Sequence, residues 1–228
     1  MTKVAVILSG CGFIDGAEIR ESVLSLLYLD QQGAEVEIFA PDAEQMHVVN
    51  HAKGEEAPGQ RRNIMEESAR IARGDIAALT TLNPDDFDAL IIPGGFGVAK
   101  NLSDFASKGA QAAVLPAFAE IIRCFYQQQK PIGAICIAPA VVALALKGIA
   151  TPTLTIGDDE ATAAAIHATG ATHQQCATDS FVYDASTRIA SCPAYMREDN
   201  IAAIARGIEQ LVQQVLKIAA EQANQRAA

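Results

Sequence analysis

Four short apolar runs, each closing on small residues, constrain this chain more than any other feature: Lys3–Leu8, Ala34–Ala40, Asp88–Ile92 and Pro131–Ile135. Their apolar, β-branched character is that of parallel strands covered on both faces. Between them lie apolar stripes at helical spacing. Ile19, Val23, Leu26 and Leu27 form one, and Val114, Leu115, Phe118, Ile121, Ile122 and Phe125 form another. The segment from about Asn200 to Gln222 repeats the pattern with Ile204, Ile208, Leu211, Val215 and Ile218. Each stripe is spaced as a helix packing on a sheet requires. Strands alternating with helices imply right-handed βαβ crossovers, hence an α/β fold with a doubly wound, mainly parallel sheet and helices on both faces. Two short segments between Thr178 and Ser191, turning at Asp184-Ala185-Ser186-Thr187, read as a small antiparallel hairpin. Residues 1–228 are expected to form a single domain, since no linker, repeat or low-complexity segment interrupts them.

Charge narrows the function. A formal net charge of -10, with scattered basic residues, argues against nucleic-acid binding, which needs clustered Lys and Arg. No apolar run approaches the roughly 18 residues of a membrane span, and Val4–Leu8 is too short for a signal peptide. A cytoplasmic chain with no membrane association is therefore expected. The five cysteines, Cys11, Cys124, Cys136, Cys176 and Cys192, show neither CxxC nor zinc-finger spacing. Free thiols are expected, with no metal site.

In a parallel sheet the ligand site lies beyond the carboxyl ends of the strands. That rule selects the loops Ser9–Asp15, Pro93–Gly97 and Cys136–Pro139. In the last, Gly133-Ala134-Ile135-Cys136-Ile137-Ala138-Pro139 runs from a strand through a cysteine straight into a helix over Pro139–Leu146. Small residues two before and two after the cysteine are what a nucleophile elbow needs, because the sharp turn brings neighbouring backbone close. Amide N–H groups at the start of that helix would favour thiolate over thiol. The alternative is an inert core cysteine.

Glu21 is the second candidate. Asp15 and Glu18 have capping-box spacing, with Asp15 as N-cap, which gives Glu18 a structural role and leaves Glu21 without one. By itself Glu21 reads as an exposed surface glutamate. The glycines of Pro93-Gly94-Gly95-Phe96-Gly97 either bring N–H groups to an oxyanion or simply make a tight turn. Gly95 and Ile137 are the candidate oxyanion donors, with Gly94, Cys11 and Asn101 as further substrate-binding candidates. Cys11 is otherwise a small loop-lining residue or a resolving partner for Cys136. Gly10-Cys11-Gly12 does not make a dinucleotide fingerprint, since Asp15 stands where the third glycine belongs.

Glu21-Ser22-Val23, Pro93-Gly94-Gly95 and the Cys136 elbow, in this order, resemble the PfpI-like branch of the class I glutamine amidotransferase-like superfamily. Leu8-Ser9-Gly10-Cys11-Gly12, Pro93 through Leu102, Cys136-Ile137-Ala138-Pro139-Ala140 and Pro193-Ala194-Tyr195-Met196 resemble, more closely, the enhancing-lycopene-biosynthesis group within it. The resemblance implies a flavodoxin-like sheet, a homodimer and a weak glyoxalase III-type or deglycase-like activity on small dicarbonyls, without cofactor or metal. It makes Glu21 the acid that touches the nucleophile and sets His173 as a stand-in for the missing histidine, or else as a structural loop residue. Protease-like members place a histidine directly after the cysteine, where this chain has Ile137; amidotransferases carry a His-x-Glu pair where it has Cys192-Pro193-Ala194-Tyr195-Met196. Without a complete triad, proteolysis and glutamine hydrolysis are not expected. His47, His51 and His167 read as surface residues. Two functions follow: a cofactor-independent glyoxalase working through a Cys136 hemithioacetal, or a non-enzymatic redox-sensing or regulatory protein, linked to isoprenoid biosynthesis, that uses the same thiol.

Overall fold

A computed structural model of the chain describes residues 1–227. In chain order its elements are β1 (Lys3–Ile7), α1 (Ile19–Gln31), β2 (Glu35–Ala40), β3 (Val49–Asn50), β4 (Glu55–Glu56), α2 (Ile64–Ala72), β5 (Ala77–Ala78), β6 (Ala89–Ile92), α3 (Phe96–Lys100) and α4 (Phe105–Lys108). The second half adds α5 (Pro116–Gln127), β7 (Ile132–Ile135), α6 (Ala138–Ala145), β8 (Thr153–Leu154), α7 (Glu160–His167), β9 (Thr172–His173), β10 (Val182–Asp184), β11 (Ile189–Cys192) and α8 (Ile201–Ala227).

Seven strands form one sheet in the order β10-β11-β7-β6-β1-β2-β5, parallel throughout except at the β10–β11 edge. β6 and β7 are buried at every position. Since neighbouring residues point to opposite faces, both faces of the sheet centre are covered. This is the expected mostly parallel α/β architecture, with the antiparallel hairpin in place. Asp184 Oδ1 builds that hairpin's turn by accepting from the N–H groups of Ser186 and Thr187. The hairpin is more than an appendage, however, because β11 pairs in parallel with β7 and extends the sheet beside the Cys136 strand. No helix among the described residues is long and apolar enough to cross a membrane.

Helix α1 departs from its expected packing. Ile19, Val23 and Leu27 are 46, 49 and 44 % exposed, while the buried face is Glu21, Ser22, Ser25 and Leu29. Ser22 and Ser25 return their hydroxyls to the carbonyls of Glu18 and Glu21, so their burial leaves no hydroxyl unpaired. Of the expected stripe, Ile19, Val23 and Leu27 face outward, while Leu26 packs on the core with Leu24, Tyr28 and Leu29.

Candidate active site

β7 ends at Ile135, and the next residue, Cys136, takes φ +63° before α6 begins. That left-handed conformation is costly for a residue with a side chain and recurs where a site over-determines it. It is held here by the Cys136 N–H, which donates to the Cys192 carbonyl at 3.0 Å. The sulfur thus stands at the carboxyl end of the sheet, between the chain that follows β6 and the chain that follows β11.

Glu21 reaches it from α1. Its carboxylate is 0 % exposed, hydrogen-bonds the Cys136 thiol, and accepts from the Gly94 N–H at 2.9 Å (Oε2) and the Tyr195 N–H at 3.1 Å (Oε1). Gly94 permits this approach: a Cβ there would fall 2.4 Å from the Cys136 Cβ and 2.7 Å from Glu21 Oε2. Gly95, at φ +94°, is equally confined against the backbone of Gly16 and Glu18. The N–H groups of Gly95 and Ile137 both donate toward the sulfur.

Burial dominates the electrostatics. It pushes the Glu21 carboxyl up to about 8, helped by the Glu18 charge and opposed by the N–H group of Tyr195, the thiol and the N–H group of Gly94. Burial, then the Glu21 charge, drives the Cys136 thiol well above its ordinary value against the pull of the Gly95 and Ile137 N–H groups. The expectation of a resting thiolate is therefore corrected. Only two backbone donors oppose loss of solvent and a neighbouring carboxylate, so both groups hold their protons to higher pH than they would in water.

The expected N-cap of α1 also moves. Glu18 caps the helix, its Oε2 accepting from the Glu21 N–H at 2.7 Å. Asp15 instead accepts from Val49 N–H at 2.7 Å and Gln45 Nε2 at 3.3 Å, fixing the loop that carries Phe13.

The thiol, 7 % exposed, opens on a cleft of about 340 Å³ whose lining includes Phe13, Glu18, Gly95, Phe96, Ile137 and Tyr195. A second cleft of about 480 Å³ shares Phe13, Glu18 and Tyr195 with it and adds Arg20. Glu21, Gly94, Gly95, Ile137 and Cys136 are thus brought together. His173, Cys11 and Asn101 line neither cleft. The His173 ring, on β9 of the small β8–β9 sheet, accepts from the Ile156 N–H at 3.4 Å and meets His167 of α7 edge-on. Cys11 faces Glu67 and Arg70 of α2, and burial raises its thiol. Asn101 spends its amide on structure: Nδ2 donates to the Ser9 and Asp15 carbonyls at 2.8 and 2.9 Å, and Oδ1 accepts from Met46 N–H at 3.0 Å.

Sequence reasoning missed Phe13, Glu18, Tyr195 and Asp159 as cleft residues. Three of these had a usable signal. Phe13 lies in a selected loop, and Tyr195 follows β11, whose carboxyl end is a fourth ligand-facing loop once β11 is recognised as a sheet strand. Glu18 was assigned away from the site by the wrong cap. No cluster of three or more His, Cys, Asp or Glu side chains suited to a metal ion occurs among the described residues.

The chain is similar along most of its length to several known proteins. The human "glutamine amidotransferase-like class 1 domain-containing protein 3, mitochondrial" is 42 % identical over 225 residues, covering 95 % of this chain and 83 % of its own length. An isoprenoid biosynthesis protein with amidotransferase-like domain from Ehrlichia chaffeensis superposes with TM-score 0.90 at 44 % identity, covering 96 % of this chain and 99 % of that one. The glyoxalase III of Candida albicans shares the fold at TM-score 0.60 and 12 % identity, over 95 % of this chain and 97 % of that one. The expectation of a cytoplasmic chain is overturned by these relatives, since the human protein and a 41 % identical rat homologue are both named as mitochondrial. Nothing in a short apolar N-terminus carries that information. The characteristic description of the DJ-1/PfpI family matches residues 3–160, and the chain belongs to that family.

Proposed function

We propose that the protein is a cofactor-independent glyoxalase that converts small 1,2-dicarbonyls to 2-hydroxy acids. The observation that carries this reading is the buried Glu21–Cys136 pair at the floor of an apolar cleft, with the N–H groups of Gly95 and Ile137 aimed at the sulfur. Loss of one proton from the pair yields the reactive form, in which the remaining proton is shared between sulfur and carboxylate. Sulfur then bonds to the aldehyde carbon, and the new alkoxide, held by the two N–H groups, takes the proton to give a hemithioacetal. The freed Glu21 carboxylate removes the C1 hydrogen, forming an enediolate, and returns that proton to C2. The C1 hydroxyl proton passes to the C2 oxygen, leaving a thioester that water cleaves.

Supporting the reading, Glu21 is within hydrogen-bond reach of the sulfur and so beside any carbon bonded to it. A redox-sensing role needs an acidified, accessible thiol. The raised thiol weighs against it. The test is 2-hydroxy acid production from glyoxal, methylglyoxal and phenylglyoxal by wild type, Cys136→Ser and Glu21→Gln. The reading requires wild-type turnover that both substitutions abolish, and activity surviving either one overturns it.

We also propose a homodimer, as the family resemblance implies, joined through the outward stripe of Ile19, Val23 and Leu27 on α1.

A further inference from the structure

We infer that Glu18 is the base that delivers water to the Cys136-bound thioester. The inference rests on the glyoxalase reading and concerns its last step. Thioester cleavage needs a proton acceptor that water can reach, and no histidine, lysine or arginine lines the Cys136 cleft among the described residues. The ionisable side chains there are Glu18, Cys136, Asp159 and Tyr195. Glu21 reaches the carbon bonded to sulfur, but it has no exposed surface at which to take a proton from water.

Of the two acids on the cleft wall, Asp159 is the weaker base. It caps α7, with Oδ1 on the Thr162 N–H at 2.7 Å, and its bonds to Thr162 hold it below the ordinary range. Glu18 is placed differently. It borders both the cleft onto which Cys136 opens and the neighbouring cleft it shares with Arg20, and it is only half-buried, so water has access to it. Half-burial pushes its carboxyl up, against the pull of the Glu21 and Arg20 N–H groups and the Arg20 charge. A carboxylate of raised pKa is the stronger proton acceptor. Its position is fixed, since the bond from Glu21 N–H to Oε2 ties it to the helix that carries the other acid.

The step balances without an oxidant or reductant. Glu18 takes one proton from water as the water oxygen bonds to the thioester carbon. The tetrahedral oxyanion sits on the Gly95 and Ile137 N–H groups. The C–S bond breaks with its electron pair on sulfur, the proton held by Glu18 passes to the sulfur, and the 2-hydroxy acid leaves.

Glu18→Ser and Glu18→Asn test this, because both keep an N-cap acceptor for α1 while removing the carboxylate. Each variant is mixed with glyoxal, quenched at intervals and treated with hydroxylamine, which converts a thioester, but not a hemithioacetal, to a hydroxamate. Expected are turnover lower by ~10²-fold and a hydroxamate-yielding adduct that accumulates on Cys136. Removing the Glu18 charge also lets Glu21 ionise at lower pH, which alone would speed the first step and could not stall the last. Variants turning over at the wild-type rate, or slowed without a trappable thioester, overturn the inference and leave the glyoxalase reading standing. Wild type that makes no 2-hydroxy acid overturns both.

Discussion

Glu21 and Cys136 share a hydrogen bond in which the carboxylate is entirely enclosed and the sulfur alone has an opening. Burial makes both members of such a pair hold their protons to higher pH, and the form proposed to react has lost one of the two. With Glu21 pushed up to about 8, kcat/KM for a dicarbonyl should rise with pH and level off above that value. Glu21→Gln should remove both the limb and the activity. A flat profile between pH 6 and about 9 in wild type would show that this ionisation does not control the reaction.

The same ionisation makes stability depend on pH. Glu21 binds its proton more tightly folded than unfolded, so its contribution is complete below the ordinary carboxylate pKa of about 4.5 and is lost as pH rises through about 8. Glu18, also raised, acts with the same sign. Wild-type Tm should therefore fall between pH 5 and about 8. Glu21→Gln should lose most of that slope while starting lower at acid pH, because its amide nitrogen cannot accept from a backbone N–H. Calorimetry across the pH series checks both, and equal slopes for the two proteins would contradict the burial argument.

The sheet was legible because its central strands are short runs buried on both faces, and apolar continuity survives without knowledge of their neighbours. β5, β8 and β9 have two residues each, too few for periodicity to register. The Cys136 elbow was legible for a local reason, the small residues its turn demands. Glu21 was not legible from local pattern: α1 carries apolar residues on both sides, with Ile19, Val23 and Leu27 outward, so hydrophobic spacing pointed to the wrong face. Only resemblance placed that carboxylate inward. His173 failed for the converse reason, since a short strand pair between β7 and β11 holds it in its own small sheet. His173→Ala should accordingly leave kcat/KM for glyoxal near wild type, and a large loss in a folded variant would show that the ring reaches the thiol.

Gly94 is confined by the pair it serves. An added Cβ must displace the Cys136 Cβ, Glu21 Oε2 or the Ile135 carbonyl, at 2.4, 2.7 and 2.8 Å, and two of these are on proposed reacting residues. Gly94→Ala should cost roughly 1–3 kcal/mol in denaturant unfolding and lower kcat more than it raises KM. Gly148→Ala is the contrasting change: its added methyl meets nothing within 4 Å, so only its φ of +76° is strained and activity should persist.

Asn101 was a substrate-binding candidate and is instead a clamp. Its side chain joins the Ser9 and Asp15 carbonyls to the Met46 N–H. Asn101→Ala should destabilise by about 1–3 kcal/mol, the cost of leaving such groups unpaired. KM measured where the variant remains folded should stay near wild type. A selective rise in KM without loss of Tm would return Asn101 to the binding site.

The stripe on α1 gives the proposed dimer a direct test. Ile19, Val23 and Leu27 are four residues apart and form one line along the helix. Each remains 44–49 % exposed, although the same helix buries two serines. Three apolar side chains are thus set in line on the outer face, although Leu24, Leu26, Tyr28 and Leu29 pack on the core, and such an exposed apolar line gains free energy when something apolar covers it. A second copy related by a two-fold axis brings the stripe against itself. Val23→Glu places a charge in the middle of that contact while leaving the buried face of α1 untouched. Sedimentation should find wild type dimeric and Val23→Glu monomeric, with the elbow intact in both. A monomeric wild type, or a dimer indifferent to Val23→Glu, would remove α1 as the interface.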